Sequence, residues 1–137
     1  MKEKFRPIQI IHLSLIAGIS IVYFMLGNLQ SLDFLELPKI TSSSFIYLLI
    51  PLGAIIVGHL LFKNQLANVQ SKLTPEEKLG PYQTASIIRW ALLEGAAFLI
   101  LFLSPDLILI GLILIVYMAF LRPTLEGMQR DFQSAGK

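Results

Sequence analysis

The sequence contains no cysteine and little charge. Its 137 residues include 15% Asp, Glu, Lys and Arg and 0 cysteines, which excludes a disulfide framework, a thiolate metal site and a thiol nucleophile. The 11 basic residues are scattered among apolar runs, so nucleic-acid binding is not expected. The sequence also lacks a phosphate-binding loop, a nucleophile triad and a cofactor fingerprint. We therefore expect no enzyme activity, no cofactor and no metal site.

Apolar residues dominate the chain, with 55% of the composition and a mean hydropathy of +0.70. Four apolar runs occur, at about residues 8–26, 45–62, 84–103 and 105–121. Each is close to the ~20 residues that a helix needs to cross a bilayer. The sequence predicts an all-α integral membrane protein, with residues 1–137 forming one membrane domain of four transmembrane helices and residues 63–83 forming a linker.

The junctions between the runs contain helix-capping residues. A hydroxyl in the stretch 41–44 is expected to cap the second helix. Thr74-Pro75-Glu76-Glu77 predicts the start of a short cytoplasmic helix, which Gly80-Pro81 should end before the third span. Ser104-Pro105-Asp106 predicts a tight turn, so the third and fourth spans are expected to form an antiparallel hairpin.

Basic residues near the ends of the runs predict the orientation, because cytoplasmic loops carry an excess of Lys and Arg. With an even number of spans, one side of the membrane receives Lys2, Lys4, Arg6, Lys63, Lys72, Lys78, Arg122, Arg130 and Lys137. Lys39 alone falls on the other side. Both termini are therefore expected in the cytoplasm, and the protein in the cytoplasmic (inner) membrane.

The two halves of the chain align weakly. Residues 10–18 match residues 87–95 with a basic residue, a leucine and a glycine in register, and residues 55–63 align with residues 114–122. This pattern predicts two tandem hairpins of the same orientation in a four-helix bundle, as in some transporters. The alternative is that any two apolar helices align to this extent.

Glu94 is the most distinctive polar residue of the apolar runs. It lies about eleven residues beyond Gln83, near the middle of the predicted third span. An acidic residue at that depth costs roughly 2.5–3.5 kcal/mol, so it is expected to face protein, to be paired or to be protonated. We expect the face with Ala91, Gly95 and Ala97 to pack inside the bundle. Glu94 is then either a proton- or cation-binding carboxylate or a neutral group that hydrogen-bonds a neighbouring helix.

Other polar side chains could form a path from Glu94 to the cytoplasm. Arg89 is roughly 140° away from Glu94 around the helix, so a direct pair is not expected, and Arg89 lies near enough to the cytoplasmic end to extend to that interface. The remaining candidates are His12, His59, Ser14 and Tyr117. Histidine readily changes charge near neutral pH. The alternative is a set of residues near the interface that water and lipid headgroups satisfy.

Residues Ala91 to Phe98 resemble the carboxylate-bearing helix of the c-subunit proteolipids of rotary ATPases. That resemblance implies ion binding at Glu94. More broadly, three segments resemble a group of small, uncharacterised bacterial four-span membrane proteins, namely residues 82–85, 88–95 and 122–124. This second resemblance implies a fold and no activity.

Taken together, these features predict a structural or interaction protein of the membrane, or an accessory subunit of a larger complex. Its expected partners are the lipid bilayer and either further copies of itself or other membrane proteins. The alternative function is a proton- or cation-translocating unit that uses Glu94.

Overall fold

The computed structural model describes residues 2–26, 42–103 and 107–136. These residues form five helices: α1 (Lys2–Leu26), α2 (Ser42–Ala67), α3 (Pro75–Leu103), α4 (Ile108–Phe120) and α5 (Leu125–Ser134). Some sequence-based expectations fall outside the described part of the chain. These are the side-chain caps at 41–44, the turn at 104–106, and the positions of Lys39 and Lys137. An all-helical architecture is confirmed for the described residues.

Helix α3 is central, because it packs against α1, α2 and α4. Its most extensive interface is with α2, whereas α1 and α2 share no comparable interface among the described residues. The first two spans therefore do not pack on one another as a hairpin, which differs from the arrangement expected from the repeat. Each of the two packs against α3 instead.

Contacts between the helices show their relative directions. Lys4 forms an ion pair with Glu76, with 2.8 Å between Nζ and Oε2, and the hydroxyl of Tyr23 donates a hydrogen bond to the carbonyl oxygen of Ala97. Early residues of α1 thus meet early residues of α3, and late residues meet late ones, so the two helices run parallel. By the same reasoning α4 is antiparallel to α1, since His12 contacts Met118 and Tyr23 approaches Gly111.

The start of α3 has the capping chemistry that the sequence predicts. Thr74 Oγ1 accepts a hydrogen bond from the Glu77 backbone N–H at 3.3 Å, and Glu77 Oε1 accepts one from the Thr74 N–H at 3.2 Å. This reciprocal pair satisfies backbone donors that have no partner within the helix. The predicted cap at Thr74 is confirmed.

The predicted helix end at Gly80-Pro81 is wrong, because α3 continues through both residues to Leu103. Pro81 removes one backbone hydrogen bond, but the residues beside it are held by tertiary contacts. Leu79 and Tyr82 are buried, and Thr84 Oγ1 donates to the Gly80 carbonyl oxygen at 3.2 Å. Packing and a hydroxyl thus offset the local preference for a break.

Many large apolar side chains face outwards. Phe45, Leu52, Ile56 and Leu60 of α2 are each more than half exposed, and α1, α3 and α4 carry similar residues. Three helices are long and apolar enough to cross a membrane, and a fourth qualifies if α4 and α5 count as one bent unit. Such a surface fits hydrocarbon rather than water, which supports a membrane protein.

Helix α5 is an element that the sequence analysis does not predict. Thr124 caps it, with its Oγ1 accepting a hydrogen bond from the Gly127 N–H at 2.9 Å. The helix bends by 96° from α4. Its apolar residues Met128 and Phe132 are buried, and the Phe132 ring lies 6.1 Å from that of Tyr82. Helix α5 therefore covers the end of the structure where α1 and α3 begin.

Candidate membrane-embedded site

Glu94 lies on the outer side of α3. Its side chain is half-buried, while the neighbouring Ala91 and Gly95 are exposed. A Cβ built at Gly95 would meet nothing within 4 Å. Within the described part of the chain, Glu94 makes no hydrogen bond or ion pair. The carboxyl thus stands beside two small residues on a surface that no described helix covers.

The expectation that the small residues of α3 all face inwards is wrong for two of them. Ala96 and Ala97 are buried, but Ala91 and Gly95 are exposed. The buried face of α3 follows Trp90, Leu93, Ala97 and Ile100, at the spacing of three and four residues that marks one helix face. Small residues occur on both faces, so their presence alone does not identify the inner one.

His12 belongs to the core and does not contact Glu94. Its Nε2 lies 2.8 Å from the carbonyl oxygen of Met118, and its ring centroid lies 4.8 Å from that of Trp90. The residue is only 6% exposed. His12 therefore connects α1, α3 and α4 through packing and a buried polar contact.

Arg89 is a buried residue of α3 that packs against α2. Its guanidinium carbon lies 3.8 Å from the centroid of the Phe62 ring, a cation–π contact between α3 and α2. A Cβ at Gly58 would lie 3.4 Å from the Cγ of Arg89, so the stem of the arginine packs closely on the α2 backbone. The buried Nε atom has no hydrogen-bond partner among the described residues.

An open cavity of about 170 Å³ lies beside Arg89. Helices α2, α3 and α5 together form its walls. The lining residues are His59, Phe62, Lys63, Leu66, Arg89, Asp131 and Ser134. His59, Lys63 and Ser134 are exposed, so the cavity has an accessible mouth above a buried guanidinium.

Asp131 supplies the acidic group of this cavity. It accepts a hydrogen bond from the Tyr82 hydroxyl at 3.3 Å and interacts electrostatically with Arg89. Burial raises the pKa of the Asp131 carboxyl, and the nearby guanidinium of Arg89 opposes that shift. The carboxylate partly balances Arg89, and Lys63 adds a further positive charge to the cavity lining.

The structure brings together only some of the residues of the predicted polar path. His59 and Arg89 line the same cavity, and Tyr117 is close enough to interact electrostatically with Arg89. His12 lies in the core, and Ser14 is exposed on α1. Glu94 stands apart on the outer side of α3. A continuous path from Glu94 to the cavity is not formed by the described residues.

Sequence reasoning missed Asp131, Phe62 and Lys63 as members of this cavity. A signal for α5 was present, because Thr124 precedes an apolar pair, Met128 and Phe132, at the four-residue spacing of a helix face.

No family model, curated protein or solved structure matches the chain.

Proposed function

We propose that the protein is a structural subunit of the cytoplasmic membrane that assembles laterally through the outer side of α3. The observation that carries this proposal is the position of Glu94, half-exposed beside Ala91 and Gly95 and without a partner in the described chain. A carboxyl facing lipid at mid-span is costly, whereas one facing another helix is hydrogen-bonded. Small residues beside it permit close approach of a second backbone.

The proposed occupant of this surface is a second copy of the chain. A protonated carboxyl both donates and accepts hydrogen bonds, so two Glu94 side chains related by a two-fold axis satisfy one another. Two-fold symmetry also places Gly95 of one copy against α3 of the other, because such an interface uses the same patch twice. A different membrane protein at this surface is the competing outcome.

The proposed topology has four spans with both termini in the cytoplasm. Helix α4 has 13 residues and alone covers about 20 Å, so the proposed fourth span includes residues before it. Helix α5 then lies along the cytoplasmic surface, because it bends by 96° from α4 and exposes Glu126 and Arg130 opposite its buried face. The ion pair of Lys4 with Glu76 belongs to the same side.

Single cysteine probes test this topology, since the natural chain has 0 cysteines and gives no background. Probes replacing Lys2, Lys72 and Lys137 are expected to react with an impermeant maleimide from the cytoplasmic side only. A probe replacing Asp33 is expected to react from the outside. Labelling of positions 2 and 137 from opposite sides of intact membranes would contradict the four-span topology.

Disulfide cross-linking tests the proposed contact. Gly95→Cys in membranes treated with a mild oxidant is expected to yield a covalent species of twice the monomer mass, because both copies present position 95 at the interface. Leu52→Cys is the matched control, since Leu52 is 55% exposed on α2, which is outside the proposed contact. Equal yields at the two positions, or a cross-linked product of another mass, would overturn the proposal of a second copy.

Proton or cation translocation at Glu94 is the second candidate, and it draws on the same unpartnered carboxyl. Translocation needs a route from that carboxyl to the cytoplasm. In one copy, His12 is engaged with Met118 and Ser14 faces outwards, so the described residues supply no such route. Assembly is therefore the better supported of the two functions.

A further inference from the structure

The cavity between α2, α3 and α5 carries charged side chains that neither assembly nor ion translocation explains. Arg89 is 9% exposed as a whole residue, and its Nε has no hydrogen-bond partner among the described residues. Lys63 and His59 lie at the mouth, and Asp131 is the acidic member. With Asp131 set against Arg89, the charge of Lys63 remains, so the cavity is net positive.

The guanidinium and the ammonium are suited to different parts of a phosphate group. An arginine donates several N–H groups in a fixed plane that matches phosphate oxygens, while a lysine acts as a mobile point charge. The Phe62 ring contacts the Arg89 guanidinium, with 3.8 Å between the ring centroid and the guanidinium carbon. The arginine is thus held in place before any ligand arrives, which lowers the entropy cost of binding.

The surface next to the cavity is apolar and exposed. Leu60 and Ile56 lie three and seven residues before Lys63, on the same side of α2, and are 60% and 57% exposed. A small inorganic ion makes no favourable contact with these apolar side chains. A molecule with a phosphate at one end and an acyl chain at the other uses both the cavity and the apolar strip.

We propose that this cavity binds the phosphate group of an anionic phospholipid, with Arg89 and Lys63 as its cationic contacts and an acyl chain along Leu60 and Ile56. Basic pockets between helices at the cytoplasmic side of a membrane bind lipid headgroups by this chemistry. The site is separate from the assembly surface, because Arg89 and Glu94 point roughly 140° apart around α3. It supplies a reason for the position of α5, whose Asp131 and Ser134 complete the wall.

Lys63→Gln is the variant that tests the proposal, because Lys63 is exposed and its loss leaves the core intact. Lys72→Gln is the matched control, an exposed lysine outside the cavity with the same change of charge. The purified proteins in neutral detergent are titrated with dioleoylphosphatidylglycerol, dioleoylphosphatidylcholine or inorganic phosphate. The measured quantity is the rise in melting temperature, since a ligand that binds the folded state stabilises it.

Phosphatidylglycerol is expected to raise the melting temperature of the natural protein and of Lys72→Gln at the same lipid concentration. Lys63→Gln should need about fivefold more of this lipid, which is the effect of one lysine near an anionic surface. Phosphatidylcholine and inorganic phosphate should give smaller shifts. An equal loss in both glutamine variants, or no shift with phosphatidylglycerol, would overturn the cavity as the site. A lysine-dependent shift as large with inorganic phosphate would overturn the lipid as its source.

Discussion

Gly111→Ala is expected to lower the free energy of unfolding by about 1–3 kcal/mol, the usual cost of forcing atoms into a packed core. Gly111 is buried on α4 against the ring of Tyr23. An added Cβ would lie 2.8 Å from Cζ and 2.9 Å from Cε2 of that ring, distances that packed carbon atoms do not adopt. The tyrosine is 0% exposed, so its ring is enclosed by other core side chains.

The hydroxyl of Tyr23 adds to this effect, because it donates a hydrogen bond to the Ala97 carbonyl oxygen on α3. Any displacement of the ring by a methyl group at position 111 also weakens that bond. One tyrosine thus sets the spacing of α1, α3 and α4 together. Combining Gly111→Ala with Tyr23→Leu should cost less than the sum of the two single changes, because the smaller side chain makes room for the methyl group.

Gly18→Ala is the matched control for Gly111→Ala. Gly18 is an exposed interior residue of α1, and a Cβ there would meet nothing within 4 Å. Alanine is favoured over glycine in a helix by roughly 0.5–1 kcal/mol, so this variant should be neutral or more stable. Thermal unfolding in detergent, followed by circular dichroism, measures both. A melting temperature of Gly111→Ala equal to that of Gly18→Ala would show that α1 and α4 are not packed this closely.

The sequence predicts the helices better than it predicts their faces. Hydrophobic runs mark α1, α2 and α3 because each is long and apolar, and Thr74 with Glu77 marks a helix start through purely local hydrogen bonds. Pro81 misleads because its effect is local, whereas the burial of Tyr82 that keeps the helix continuous depends on distant residues such as Phe62. Local rules hold where partners are a few residues apart and fail where tertiary packing decides.

The candidate sites show the same division. The depth of Glu94 in its apolar run identifies it as a candidate site residue. The sequence does not show that Glu94 faces outwards, because Ala91 and Ala97 are both small and lie on opposite faces of α3. The hydrophobic pattern of a membrane helix does not separate inside from outside, because lipid is as apolar as the core. The cavity at Arg89 depends on α5, where Asp131 lies more than forty residues away along the chain. Such a contact has no signature in sequence spacing.

Glu94→Leu is expected to weaken self-association by roughly 3–30-fold, the range of one to two hydrogen bonds between membrane helices. Leucine has no polar group. The monomer then has no free-energy cost from a carboxyl exposed to lipid, and association no longer relieves such a cost. Glu94→Gln keeps both a donor and an acceptor and should associate nearly as well as the natural chain. Analytical ultracentrifugation in density-matched detergent measures the dissociation constant. Glu126→Gln, an exposed change on α5, is the control for loss of one acidic group.

The two Glu94 variants also separate assembly from ion translocation. Glutamine cannot ionise, so a protein that carries protons or cations on this carboxyl would lose flux in Glu94→Gln and Glu94→Leu equally, with folding and association of the glutamine variant intact. Flux is read in proteoliposomes from a pH-sensitive dye under an imposed membrane potential. Association that survives Glu94→Leu unchanged would remove Glu94 from the assembly surface. Flux that is present in the natural chain and absent in the glutamine variant would assign the residue to transport. A residue needed only for association tolerates the replacement of its carboxyl by an amide, because both groups form hydrogen bonds.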